Sequence, residues 1–87
     1  MIIEFEENLL ALIDQRIETA SDDELFAGGY LRGHISLSAA ECEEQGINDI
    51  EVLKQQIEAS LEQAKSELSP ADRVIVHDLW KELVAQS

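Results

Sequence analysis

The segment SDDELFAGGYLRGH, residues 21–34, opens as a helix should and then places glycines at 28, 29 and 33. Ser21 is a good N-cap, and Glu24 three residues on completes a capping box. Asp22 and Asp23 set negative charge in the first turn, where the helix dipole favours it. The helical pattern continues to about residue 45, and Gly46 is a suitable stop. On an ideal wheel this helix is apolar on two sides. Phe26, Tyr30, Gly33, Leu37 and Ala40 form one face; Leu31, Ile35, Ala39 and Cys42 form the opposite one. A helix apolar on two sides reads as a central helix with neighbours on both.

The glycines need a reason, since each costs about 0.5–1 kcal/mol relative to alanine inside a helix. Gly29 and Gly33 are four apart, with Ala40 further along, so the favoured reading is a small-residue seam against a neighbouring helix. Gly33 is expected at the tight contact and Gly28 in the roomier place. The alternatives are a break at Gly28-Gly29 and a functional opening of the backbone.

Three further helices flank this one. Residues 2–20 carry Ile2, Phe5, Leu9, Leu12, Ile13 and Ile17 on one broad face. Arg16 projects into that face, and snorkelling to water is the ordinary outcome for such an arginine. Residues 49–68 repeat Ile50, Leu53, Ile57, Leu61, Ala64 and Leu68 at helical spacing, with Asn48 as the expected cap. Residues 70–85 follow the cap Ser69 with Pro70 at the first helical position, and Val76, Leu79, Trp80 and Leu83 supply a core face. The connections are short, which predicts an all-α fold: a small antiparallel four-helix bundle of up-down topology, one domain over residues 1–87.

Composition bounds the function. Nineteen acidic residues against six basic ones give a net charge of −13. Phosphate-bearing surfaces are repelled by such a chain, so neither direct nucleic-acid binding nor an anionic membrane is expected, and a basic protein partner is favoured. A homodimer is a further way to bury the surplus apolar face of the second helix. Cys42 is the only cysteine, which excludes an intrachain disulfide and fits a reducing, cytoplasmic setting.

No catalytic motif stands out. AGGYLRGH lacks the Gly-Lys-Ser/Thr ending of a phosphate loop. Neither His34 nor His77 has a glutamate three residues before it, as carboxylate-bridged di-iron bundles require. The six aspartates and thirteen glutamates show no EF-hand spacing. No enzyme activity and no cofactor are expected. One constellation is notable: Asp23, Tyr30, His34 and Glu41 share a narrow stripe of the second helix. It reads as a candidate interaction strip, with a metal or catalytic site around Tyr30, His34 and neighbouring carboxylates as the alternative. The plain reading is that Tyr30 and His34 are half-buried and hydrogen-bond to adjoining helices. Arg32 is expected to pair with an acidic neighbour, His77 to be exposed, and Trp80 to be core.

The runs ALIDQRIETASDDELFAGGYLRGHISLSAAE and SLEQAKSELSPADRVIVHDLWKEL resemble the YfcL family of small gammaproteobacterial proteins, most closely in ASDDELFA, GYLRGH and ELSP. The resemblance implies a small helical protein and carries over no catalytic residue. It marks the SDDELFA and GYLRGH positions as a hallmark. Acyl carrier proteins are also small, acidic and helical, but their attachment serine lies in an Asp-Ser-Leu motif, whereas here Ser21 precedes the aspartates. The most economical reading is a non-enzymatic protein-interaction module.

Overall fold

Local capping determines where each helix begins. The computed structural model describes residues 2–87, which form four α-helices and, among the described residues, no strand. They are α1 (Ile2–Gln15), α2 (Asp22–Glu44), α3 (Ile50–Gln63) and α4 (Pro70–Gln86). Ser21 Oγ accepts from the Glu24 amide at 3.2 Å while the Ser21 amide donates to Glu24 Oε1 at 3.3 Å, so two orphan donors are satisfied reciprocally. Ser69 Oγ accepts from the Asp72 amide at 3.2 Å, with Pro70 in the first turn. The end of α2 is a Schellman motif. Gly46 takes φ +72, its amide donates to the Glu43 carbonyl, and the Ile47 amide donates to the Cys42 carbonyl at 2.8 Å.

Two helices are shorter than their periodicity suggests. The apolar repeat of the first continues past α1 into a 3-10 turn at Ile17–Thr19, and that of the third past α3 into another at Lys65–Glu67. Tightening the last turn satisfies terminal carbonyls while the chain changes direction, so the spacing persists but the α-helix does not. The cap of α3 is Asp49, whose side chain accepts from the Glu51 amide at 2.9 Å. Asn48, expected in that role, instead accepts the Ile2 amide at 3.2 Å and ties the start of α1 to the α2–α3 connection.

The core draws on every helix. Leu9, Leu31, Leu53 and Leu83, one from each, are completely buried; burying such a side chain contributes about 1.5–3 kcal/mol. They belong to one cluster that also takes in Ile13, Ile35, Ile57 and Trp80. The fold is therefore the expected helical bundle, organised around α2. That helix packs on α1, α3 and α4, most extensively on α4, whereas α3 and α4 hardly meet. The molecule measures 36 × 28 × 18 Å along its principal axes, so its thinnest direction holds two helix layers. In two layers even the central helix keeps one face toward solvent.

That face corrects the expected neighbours on both sides of α2. Its buried residues are Ala27, Gly28, Leu31, Ile35, Ser38, Ala39 and Cys42. On the other side Phe26 is 43% exposed and Leu37 59% exposed, with Gly29 and Gly33 exposed between them and Ala40 exposed beyond Leu37. The helix passes Gly28-Gly29 without a break.

Candidate functional site

Residues 21–34 cap and form the first half of α2, and their glycines have separate roles. A Cβ on Gly28 would lie 3.1 Å from Ile13 Cγ2, so the absent side chain lets α1 approach. A Cβ on Gly29 or Gly33 would meet nothing within 4 Å. Among the described residues nothing packs against Gly29 or Gly33 of the expected small-residue seam, Ala40 is exposed, and the tight contact lies at Gly28. The physical reason is rotation: five residues at 100° each place Gly28 and Gly33 about 140° apart around the axis, and α1 lies on the Gly28 side.

The expected strip of Asp23, Tyr30, His34 and Glu41 separates into a centre and two ends. Tyr30 and His34 touch, with ring centroids 4.6 Å apart, and Phe26 stacks below Tyr30 at 6.0 Å. His34 Nδ1 shares a 2.5 Å hydrogen bond with Ser60 Oγ of α3, so the plain reading, that Tyr30 and His34 are half-buried and bonded to adjoining helices, holds for His34 and fails for the hydrogen bond of Tyr30. The Tyr30 hydroxyl lies out of reach of water and has no hydrogen-bond partner among the described residues. Burial raises its pKa from the usual tyrosine value, and Glu67 adds to the rise. Asp23 and Glu41 are both exposed, and eighteen residues at 1.5 Å each separate them by about 27 Å along the helix. They do not converge on His34. Among the described residues no group of three or more His, Cys, Asp or Glu side chains is placed to hold a metal ion.

Two of the three arginines find carboxylates. Arg32 pairs with Asp14 of α1 at 3.3 Å. Arg16, half-exposed, reaches Glu82 of α4 at 3.0 Å and holds that carboxyl below its ordinary pKa. His77 is exposed and Trp80 buried, as expected.

A feature not read from the sequence lies where α3 and α4 separate. A groove of about 760 Å³ runs between them, with Tyr30 of α2 contributing to its lining. Leu61, Leu68, Val76, Trp80 and Val84 give it an apolar surface. Arg73, His77 and Lys81 line the α4 side. Their spacing at i, i+4 and i+8 was the available signal; that it borders a groove follows only from the splay of α3 and α4.

Similarity to known proteins settles the kinship. The family model described as YfcL protein matches residues 3–85, nearly the whole chain. The chain belongs to the YfcL family. The protein named "Uncharacterized protein YfcL" from Escherichia coli (strain K12) is 47% identical over 89 residues, covering 100% of this chain and 97% of that protein. No solved structure matches the chain. Family membership bears out the resemblance read from residues 11–41 and 60–83 and assigns no reaction to any residue.

Proposed function

We propose that this member of the YfcL family is a non-enzymatic interaction module that docks a protein partner on the outer face of α2. The observation that carries the reading is the pair Gly29 and Gly33. Both lie inside a continuous helix, and a Cβ on either would touch nothing within 4 Å. Together they cost the chain roughly 1–2 kcal/mol of helix stability. Packing among the described residues returns none of it. A partner helix crossing between exposed Phe26 and Leu37 would find backbone close at hand and apolar side chains on either side.

Charge supports a basic partner. With a net charge of −13, the surface attracts cationic surfaces and repels nucleic acid and anionic lipid. No helix among the described residues is long and apolar enough to cross a membrane. A cytoplasmic protein meeting a basic protein surface is the setting that these features fit.

Affinity capture from cell lysate by the wild type and by Gly33→Leu, at graded salt, tests the proposal. The leucine enters open space, so the fold tolerates it while the docking seam is filled. The expected result is a set of captured proteins that Gly33→Leu loses and that raised salt weakens. Capture of the same proteins by both, or of none by the wild type, overturns it.

A further inference from the structure

We infer that the element docking on α2 is a helix lying lengthwise along it, uncharged where it meets the middle of α2 and carrying a lysine or arginine opposite each end. The inference rests on the docking face proposed above and names what that face receives.

The stripe comes first. Phe26, Gly29, Gly33, Leu37 and Ala40 follow one another at steps of three or four, and all five are exposed. The same steps reach Asp22 at one end and Glu44 at the other, both exposed. At 100° per residue all of these positions fall within about 80° around the axis, so they form one continuous stripe. Asp22 and Glu44 are the first and last residues of the 23-residue α2. At 1.5 Å per residue they lie about 33 Å apart along it.

Charge is segregated on this stripe. Residues 25–40 contain no carboxylate, in a chain that has nineteen acidic residues. The one lysine or arginine of that run, Arg32, is paired with Asp14 of α1. Among the described residues neither Asp22 nor Glu44 takes part in an ion pair. The helix dipole accounts for Asp22 in the first turn but not for Glu44, which faces the negative end of the dipole. Glu41 and Glu43 share that last turn, and it holds no basic residue. A cation brought from outside would relieve the repulsion.

These features select the occupant. A second copy of this chain would set carboxylate against carboxylate at both ends, whichever way it ran, and an anionic lipid surface would be repelled in the same way. A cation opposite the middle of the stripe would leave water for Phe26 and Leu37 with no carboxylate to meet it. A helix of about six turns at a shallow crossing angle meets the uncharged middle and both acidic ends at once.

The probe is a blocked synthetic helix of about 24 residues, with leucine and alanine along one stripe, glutamine elsewhere and a lysine at each end of the stripe. Titrated into the isotope-labelled full-length protein, it should produce saturable chemical-shift changes centred on α2. Replacing both lysines by glutamine should weaken binding about tenfold, as the loss of two exposed ion pairs implies. Moving both lysines to the middle of the stripe should weaken it at least as much. Asp22→Asn combined with Glu44→Gln should weaken the lysine-ended peptide about tenfold and leave the glutamine-ended peptide unchanged. Neither side chain makes a hydrogen bond or ion pair among the described residues, so the fold stays intact. Gly33→Leu should weaken both peptides. If the charged ends make no difference while Gly33→Leu still abolishes binding, the charge pattern is overturned and the docking face stands. Binding that Gly33→Leu leaves unchanged overturns both. No saturable shift on α2, or dimerisation of the wild type that Gly33→Leu abolishes, overturns this inference, and capture from lysate then judges the face by itself.

Discussion

Gly28 of α2 lies against Ile13 of α1 so closely that a Cβ there would stand 3.1 Å from Ile13 Cγ2, while Gly33, one and a half turns on, borders open space. The two glycines of one helix therefore serve different ends. One admits a neighbouring helix; the other exposes backbone that none of the described residues covers.

Substitutions at the two sites should diverge. Gly33→Ala is expected to stabilise by about 0.5–1 kcal/mol, because it gains helix propensity without meeting a neighbour. Gly28→Leu should cost about 1–3 kcal/mol, since Ile13 is buried and stiff at its branched carbon and cannot yield without disturbing the core. Urea midpoints of the two variants decide it. A Gly28→Leu protein as stable as the wild type would show that the α1–α2 contact is slack.

Tyr30→Phe should leave the free protein as stable or make it more stable, by up to about 1 kcal/mol. It deletes a buried hydroxyl that has no partner, and an unsatisfied polar group costs about 1–3 kcal/mol to bury. Ser60→Ala should have the opposite sign and cost about 0.5–1.5 kcal/mol, because His34 then loses its partner. Thermal melts of both variants check the contrast, and a destabilised Tyr30→Phe would contradict the orphaned hydroxyl.

Two carboxyls should respond to pH with opposite signs. Burial raises Glu6, with Glu43 and Glu7 adding to the rise. Its folded pKa exceeds the unfolded one, so folding gains as pH falls through the folded value and the charged form is a burden above it. Glu6→Gln should therefore stabilise at neutral pH, with a gain that shrinks in acid. Glu82 is lowered by the hydrogen bond and charge of Arg16. Its contribution is present above the unfolded carboxyl value and lost as pH falls through the folded one, so Arg16→Gln should destabilise at neutral pH and not in strong acid. Urea melts of both variants across the acid range test this; a pH-independent effect in either would refute its assignment.

Cys42 should be inert in the native state. It is fully buried in the core, and burial raises its thiol pKa, so the reactive thiolate is suppressed twice over. A thiol-reactive reagent should label it at the rate of opening, and urea should release a single reactive thiol per chain. Immediate labelling of folded protein would place Cys42 at the surface.

The features legible in the sequence share a cause: they are settled within a few residues. Ser21 with Glu24, Ser69 with Pro70, and Gly46 at positive φ act across one helical turn, so the limits of α2 and the start of α4 follow from side-chain chemistry. The acidic balance, the single thiol and the kinship carried by residues 11–41 and 60–83 are likewise properties of the chain itself. Which side of α2 is covered is another matter. Apolar residues are spread almost evenly around that helix, so a wheel gives no sign of whether the Leu31–Ile35 side or the Phe26–Leu37 side faces inward. The answer depends on where α1, α3 and α4 settle, and they settle on the side of Gly28, where α1 can come closest. The separation of α3 from α4 is likewise a matter of how three helices share the surface of α2. Only that arrangement turns a four-residue repeat of Arg73, His77 and Lys81 into the charged edge of an apolar groove.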